Sequence, residues 1–282
     1  MLPLDLLATS TFTVARMNST QPLAAAPFAR TGAAQVDDAL DRLTDVDRDA
    51  RQAAALLIGE IAEPTAAPGL VARLFSEQDP FVRETLTWAI TRVADAATPL
   101  LLKALADTDA ATLNRALHAL SKIADPATVD AMLPLAAHTD PVVAAKARWA
   151  LTRVGDPRAI PALVAHLGTG DDTTRNGVTR DLASFGARAV PTVVAALASD
   201  DTHVRRHAAE ALCFMGPSAE GAIDVISGAL DDPDGAVRVS AAMALFDLRT
   251  PRALAALTDR TETADRRVRA IADRAAREEV EQ

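Results

Sequence analysis

Asp140-Pro-Val-Val-Ala-Ala-Lys-Ala-Arg-Trp-Ala-Leu-Thr-Arg-Val-Gly-Asp-Pro-Arg-Ala-Ile-Pro-Ala-Leu-Val-Ala-His-Leu167 decides the fold. Asp140 followed by Pro141 is a helix start, an N-cap side chain with proline at the first helical position. Small or apolar residues then fall at Val143, Ala147, Ala150, Leu151 and Val154, the one-face spacing of an amphipathic helix. Gly155 ends that helix, and Asp156-Pro157 opens a second one with Ile160, Leu163, Val164 and Leu167 on its buried face.

The rest of the chain copies this unit. Helix-opening aspartates stand at Asp47, Asp79, Asp109, Asp140, Asp171, Asp201, Asp234 and Asp265, at intervals of 32, 30, 31, 31, 30, 33 and 31 residues. Four residues after the Asp comes Arg51, Arg83, Arg175, Arg205, Arg238 or Arg269, with Leu113 and Ala144 as exceptions. Eleven after it comes Ile58, Ile90, Leu120, Leu151, Leu182, Leu212 or Leu245. A fixed period with two helices per unit predicts an all-α solenoid whose neighbours must stack to bury their faces.

Asp-Pro-x-Val-Arg at Asp79 to Arg83 and Val-Gly-Asp-Pro-Arg-Ala-Ile-Pro at Val154 to Pro161 resemble HEAT repeats. The short period is similar to the HEAT-like repeats of phycobilisome lyases. The resemblance runs from about residue 34 to 280 and implies a right-handed α-α superhelix of about eight helix pairs. It also implies that the Val-Arg helices line the concave side and the proline-bearing helices, with Pro68, Pro99, Pro161 and Pro191, the outside. It names a scaffold, not an activity.

Composition agrees with closely stacked helices: alanine and leucine dominate, and tyrosine is absent. A net charge of −9 does not advertise nucleic-acid or membrane binding. Arg outnumbers Lys 26 to 3, a bias of GC-rich bacterial genomes. The single cysteine, Cys213, excludes an internal disulfide framework and reads as a small packing residue. No apolar run reaches membrane-helix length, and the opening residues lack a basic n-region, so a cytoplasmic protein is expected.

Residues 1 to 32 do not fit the period and read as a loosely ordered N-terminal extension, with a short docked helix as the alternative. Residues 33 to 282 read as a single solenoid. The outer helices are expected to begin near Thr65, Thr98, Ala127, Arg158, Ala189, Ala219 and Pro251. The last unit has Glu279 where others bury an aliphatic residue, as a solvent-facing cap should. The fifth unit departs from the pattern. Gly177 lies mid-helix, and Asp181 replaces the Leu57, Ala89, Ala119, Ala150, Ala211 or Ala244 of other units. A local kink with Asp181 paired to an arginine is one reading; a unit that shapes the middle of a binding surface is the other.

If the Val-Arg helices are inner, their non-core positions form a groove. The candidate partner-binding residues are Phe81, Trp88, Arg92, Arg115, His118, Lys122, Lys146, Trp149, Arg153, Asn176, Arg180, His203, Arg206 and His207. Over units two to six these positions hold seven Lys or Arg against three acids, a basic face on an acidic body. Trp88 and Trp149 share one repeat position, as interface anchors or as packing against the adjacent helix. The recurring Asp-x-x-x-Arg reads as cap and inter-unit bridge, since an active site is made once and a ladder in every unit.

The leading functional reading is a non-enzymatic scaffold or adaptor holding an acidic protein segment, with no catalytic residue, no cofactor and no membrane partner. The second is nucleic-acid binding. HEAT-like DNA glycosylases pair tryptophans with a catalytic Asp; here Arg92 and Arg153 stand one turn after the tryptophans instead. The third is a lyase-accessory or chaperone-like role. HEAT-repeat hydroxylases use His-Glu dipeptides as iron ligands, and none of the five histidines here precedes a Glu. His203, His207 and Glu210 share a helix face but lack a matching second helix and sit beside Arg205 and Arg206, so no metal is expected.

Overall fold

The computed structural model describes residues 32–260 and 263–280, and among them it contains helices and no strands. The chain runs as helix pairs. α1 (Gly32–Arg42) and α2 (Arg48–Ile61) are followed by α3 (Ala67–Ser76) and α4 (Pro80–Arg92), then α5 (Ala94–Ala104) and α6 (Ala110–Ile123). Next come α7 (Val129–Met132) with α8 (Pro141–Val154), α9 (Ile160–Val164) with α10 (Asp172–Ser184), and α11 (Val190–Ala195) with α12 (Thr202–Met215). α13 (Ile223–Gly228) with α14 (Gly235–Leu248), and α15 (Pro251–Thr258) with α16 (Arg266–Val280), complete the array.

The even-numbered helices are the long ones, and each begins where the periodic aspartate stands. Asp47, Asp79, Asp109, Asp140, Asp171, Asp201 and Asp234 all accept a first-turn backbone N–H through the side chain. Each satisfies a donor that the helix itself leaves unpaired. The odd-numbered helices from α7 to α13 are short and flanked by 3-10 turns, with proline near the start of several. Proline is tolerated there because its missing N–H is one of those unpaired donors. The starts of the odd-numbered helices from α3 on lie within two residues of the expected ones except at Thr98 and at Ala219, where a 3-10 stretch precedes α13 at Ile223. α5 begins earlier, at Ala94, and carries Pro99 inside the helix.

One core runs the length of the array, from Val36 to Ala275. The long helices approach one another through alanines such as Ala89, Ala119, Ala150 and Ala211, all fully buried. The expected inter-unit arginine ladder is present at Arg51, Arg205 and Arg238, but it is not the arginines' first contact. Arg51, Arg83, Arg205 and Arg238 each donate to two carbonyls of the loop just before their own helix. The arginine is thus first a clamp within its unit. Arg51 also reaches Glu77, Arg205 reaches Asp232 and Arg238 reaches Asp265, each at the head of the next unit. Arg175 does not bridge: it pairs with Asp172 of its own helix, because Ser199 stands where the next unit would supply the acid.

α10 is continuous through Gly177, so the fifth unit carries no break in its helix. Asp181 is in no ion pair among the described residues, which corrects the expected pairing with an arginine. The expected N-terminal extension, up to residue 31, lies outside the described residues, as does the side chain of Glu279.

Candidate functional site

The long helices stack in register, so equal repeat positions lie side by side. Direct contacts fix this register. Gln52 Nε2 donates to Thr85 Oγ1 at 3.3 Å, and Glu84 meets His118 at 3.0 Å and Lys122 at 3.1 Å on the next helix. His118 in turn stacks on Trp149 of α8, centroids 5.7 Å apart and planes 6° from parallel.

Both tryptophans pack against the preceding long helix and keep an exposed edge. The Trp88 ring lies over Gly59 of α2, where an added Cβ would come within 2.3 Å of the indole. Trp88 remains 40% exposed. Trp149 is held between His118 and the Lys146 ammonium, which sits 4.2 Å from its ring centroid. Packing and partial exposure coexist because the indole is large and amphipathic. Burial lowers the pKa of Lys146; Glu84 opposes that shift and Lys122 adds to it.

The basic residues divide into tied and free. Lys122 and His118 share Glu84, and Arg206 pairs with Glu210 at 2.8 Å. Arg180 is exposed and donates to the Asn176 carbonyl at 3.2 Å; Asn176 and His203 are exposed too. Phe81 is 66% exposed beneath the Arg48 guanidinium. Arg92 and Arg153 are exposed and form no hydrogen bond or ion pair among the described residues. They occupy one repeat position on α4 and α8, with Lys122 between them on α6.

Two expected groove residues are tied down by hydrogen bonds within the protein. His207 is only 1% exposed. Its Nδ1 accepts the Gly168 N–H at 2.9 Å, so the ring proton sits on Nε2, 2.9 Å from Thr179 Oγ1 and 3.1 Å from the Arg175 carbonyl oxygen. Both ring nitrogens are therefore used within the protein, and burial lowers its pKa. Arg115 donates to the Phe75 carbonyl. Arg115 and His207 share a repeat position, and each meets backbone of an earlier unit, the last turn of α3 and the loop before α10, a direction that helical spacing alone does not reveal. Beside Arg115, the buried Asn114 Oδ1 has no hydrogen-bond partner among the described residues.

Sequence reasoning missed Arg148. It is 6% exposed and donates to the Ala136 carbonyl at 3.0 Å, taking over the clamp in the unit where Ala144 replaces the usual arginine. It lines a cleft of about 480 Å³ between α8 and α10 with Trp149, Thr173, Gly177, Val178, Arg180 and Asp181. Burial pushes the Asp181 carboxyl up to about 6, against the opposing influence of Arg148, Arg180 and Thr152. The signal for Arg148 was the missing arginine at Ala144.

Beyond the fifth unit the face changes character. Phe214 and Met243 are exposed, and with Cys213, Val239 and Asp247 they line an apolar hollow of about 500 Å³. Cys213 Sγ donates to Asp247 Oδ2 at 3.3 Å. Burial and that carboxylate push the thiol up to about 12, so it carries no thiolate at neutral pH.

A family model for HEAT repeats matches residues 36–120, 98–183 and 190–277. No curated protein matches the chain. Among solved structures, human deoxyhypusine hydroxylase in complex with glycerol is 22% identical, covering 89% of this chain and 98% of that one at a TM-score of 0.38. The CpcE and CpcF complex of phycocyanin lyase from Nostoc sp. PCC7120 is 18% identical over 92% and 100%, at 0.40. Kap121p bound to Pho4p is 13% identical, covering 86% of this chain and 33% of Kap121p, at 0.52. The chain thus shares its fold with a third of Kap121p. No helix among the described residues is long and apolar enough to cross a membrane.

Proposed function

We propose, for a chain that belongs to the HEAT-repeat family, that it is a protein-binding scaffold whose inner face holds an acidic segment of another protein. The observation that carries this reading is a basic row: Arg92 and Arg153, exposed and unpaired among the described residues, on either side of Lys122, beside the exposed edges of Trp88 and Trp149. Rigid indoles with adjacent guanidinium groups are the usual anchors of a protein interface. Charge of one sign, concentrated on one face, steers an oppositely charged partner even when the whole protein is acidic. The intra-face pairs of Glu84 and Glu210 hold His118, Lys122 and Arg206 in place and leave the free guanidinium groups for the partner. That Kap121p was solved with Pho4p bound is compatible with a solenoid of this kind serving protein recognition.

The test is affinity capture from native lysate, with and without nuclease, using the wild type beside Arg92→Glu with Arg153→Glu. A protein recovered by the wild type, insensitive to nuclease and lost from the double variant, is the expected outcome. Recovery of nucleic acid in its place would sink the proposal. Equal recovery by both forms would put the partner on another surface.

A further inference from the structure

The cleft between α8 and α10 departs from its neighbours in three ways. Gly177 stands where the adjacent long helices carry Lys146 and His207, and a Cβ built there meets nothing within 4 Å. Asp181 stands where Ala150 and Ala211 close the contact between helices. Arg148, more than nine-tenths buried, makes one hydrogen bond to a carbonyl and has no carboxylate partner among the described residues. A guanidinium carries five N–H donors in a fixed fork, and burying it with only Asp181 near it and no carboxylate hydrogen-bonded to it is costly.

We propose that this cleft is the specificity pocket of the face: it takes a single Glu or Asp side chain of the bound acidic segment, with Arg148 as the cation that receives it. The proposal rests on the acidic-segment reading above. Trp149 and Val178 give the methylene stem an apolar wall, Gly177 leaves the floor open, and Arg180 adds positive charge at the entrance.

Asp181 selects a carboxylate over a phosphate. A phosphodiester, too weak a base to share a proton near neutral pH, would lie against a second negative charge, whereas a carboxylate shares one proton with Asp181, as paired carboxyls do. Asp181 already titrates at about 6. An incoming carboxylate raises it further, so binding takes up a proton. The charged groups acting on Asp181 are Arg148 of α8 and Arg180 of α10, with Thr152 of α8 beside it. His207 of α12, at the other contact of α10, is tied to Thr179 and Arg175. His166, whose pKa is lowered by burial and then by Arg148, completes the surroundings of the guanidinium. Binding therefore strengthens as pH falls from 7.5 toward 5.5, until the ligand carboxylate itself protonates near about 4.3.

The experiment uses the full chain, an acetylated hexaglutamate peptide as probe, and tryptophan fluorescence with calorimetry as readouts. Gly177→Leu fills the cleft and replaces the poorest non-proline helix former with a good one, so it folds at least as well as wild type. The expected result is peptide binding by wild type, tighter by about threefold to tenfold at pH 6 than at pH 7.5. Gly177→Leu should weaken it by about tenfold or more, roughly 1.4 kcal/mol. Asp181→Asn should bind with no such pH dependence. Wild-type affinity in Gly177→Leu, or a persisting pH dependence in Asp181→Asn, overturns the pocket. If Arg92→Glu with Arg153→Glu still abolishes binding in that case, the groove reading stands alone. No binding of the peptide by wild type removes both. Binding of hexathymidylate that Gly177→Leu abolishes would assign the cleft to phosphate and overturn the proposal.

Discussion

Glu77 holds the second and first units together at a single carboxylate. It is 1% exposed and receives Arg51 Nε at 2.9 Å, Arg73 Nη2 at 2.5 Å and the backbone N–H of Gln78 and Asp79 at 2.9 and 2.8 Å. Burial by itself would raise its pKa. The hydrogen bonds from Arg51, the Asp79 backbone and Arg73 outweigh burial and hold it at about 2, against 4.5 for the free side chain. A folded value below the unfolded one means that the unfolded chain binds the proton more readily. The stabilisation is therefore complete above pH 4.5 and is lost as pH falls toward 2. The shift corresponds to about 3 kcal/mol for this buried group. Glu77→Gln should lower the unfolding free energy by about 2–4 kcal/mol at pH 7, because Arg51 and Arg73 lose their shared counter-charge. The difference between variant and wild type should shrink between pH 5 and pH 2. Urea midpoints measured across that range check this; two curves that stay parallel to pH 2 would refute it.

At the scale of elements, most of the architecture was legible because each long helix announces its own start. The aspartate is a local signal, settled by four residues and their unpaired N–H groups, so spacing alone located every cap. Side-chain direction was less legible. His207 carries the pattern of an exposed position yet turns inward, because the loop before α10 comes close enough to be hydrogen-bonded. That approach depends on Gly168, which has φ +77° and sits so near α12 that an added Cβ would lie 2.8 Å from the Val204 nitrogen. Gly168 therefore meets two demands at once, a left-handed backbone and contact with another backbone. Gly168→Ala should destabilise the chain by about 2 kcal/mol or more, since both the strain and the clash fall on atoms that cannot swing away. It should also pull the Gly168 N–H off His207 Nδ1. A thermal melt reads the first effect and the histidine ring 15N shift reads the second. An unchanged melt would show that the loop is free to retreat.

For the whole molecule, the candidate site was less legible than the fold because its charge depends on pairing across units. Counting repeat positions found the basic face but could not tell Lys122, tied to Glu84, from Arg153, which is free. Nor could it find Arg148, whose role follows from the arginine missing at Ala144. The core, by contrast, is a stack in which each unit touches its neighbours, and this makes its stability divisible. Leu254 and Leu257 of α15 and Val268 of α16 are buried against the end of the array, and with Phe246 and Leu248 of α14 they form its last layer. Removing residues 250–282 should expose Phe246 and Leu248 while leaving the contacts of α2 to α12 unchanged. The truncated chain is expected to keep its helical signal per residue near 25 °C. It should unfold at a lower urea midpoint, bind a hydrophobic dye and tend to associate through the uncovered face of α14. Circular dichroism and dye fluorescence on the two forms measure this. Complete loss of helix in the truncated chain would mean that the core is one indivisible cooperative unit, and the description of the molecule as a stack of locally stabilised repeats would have to be abandoned.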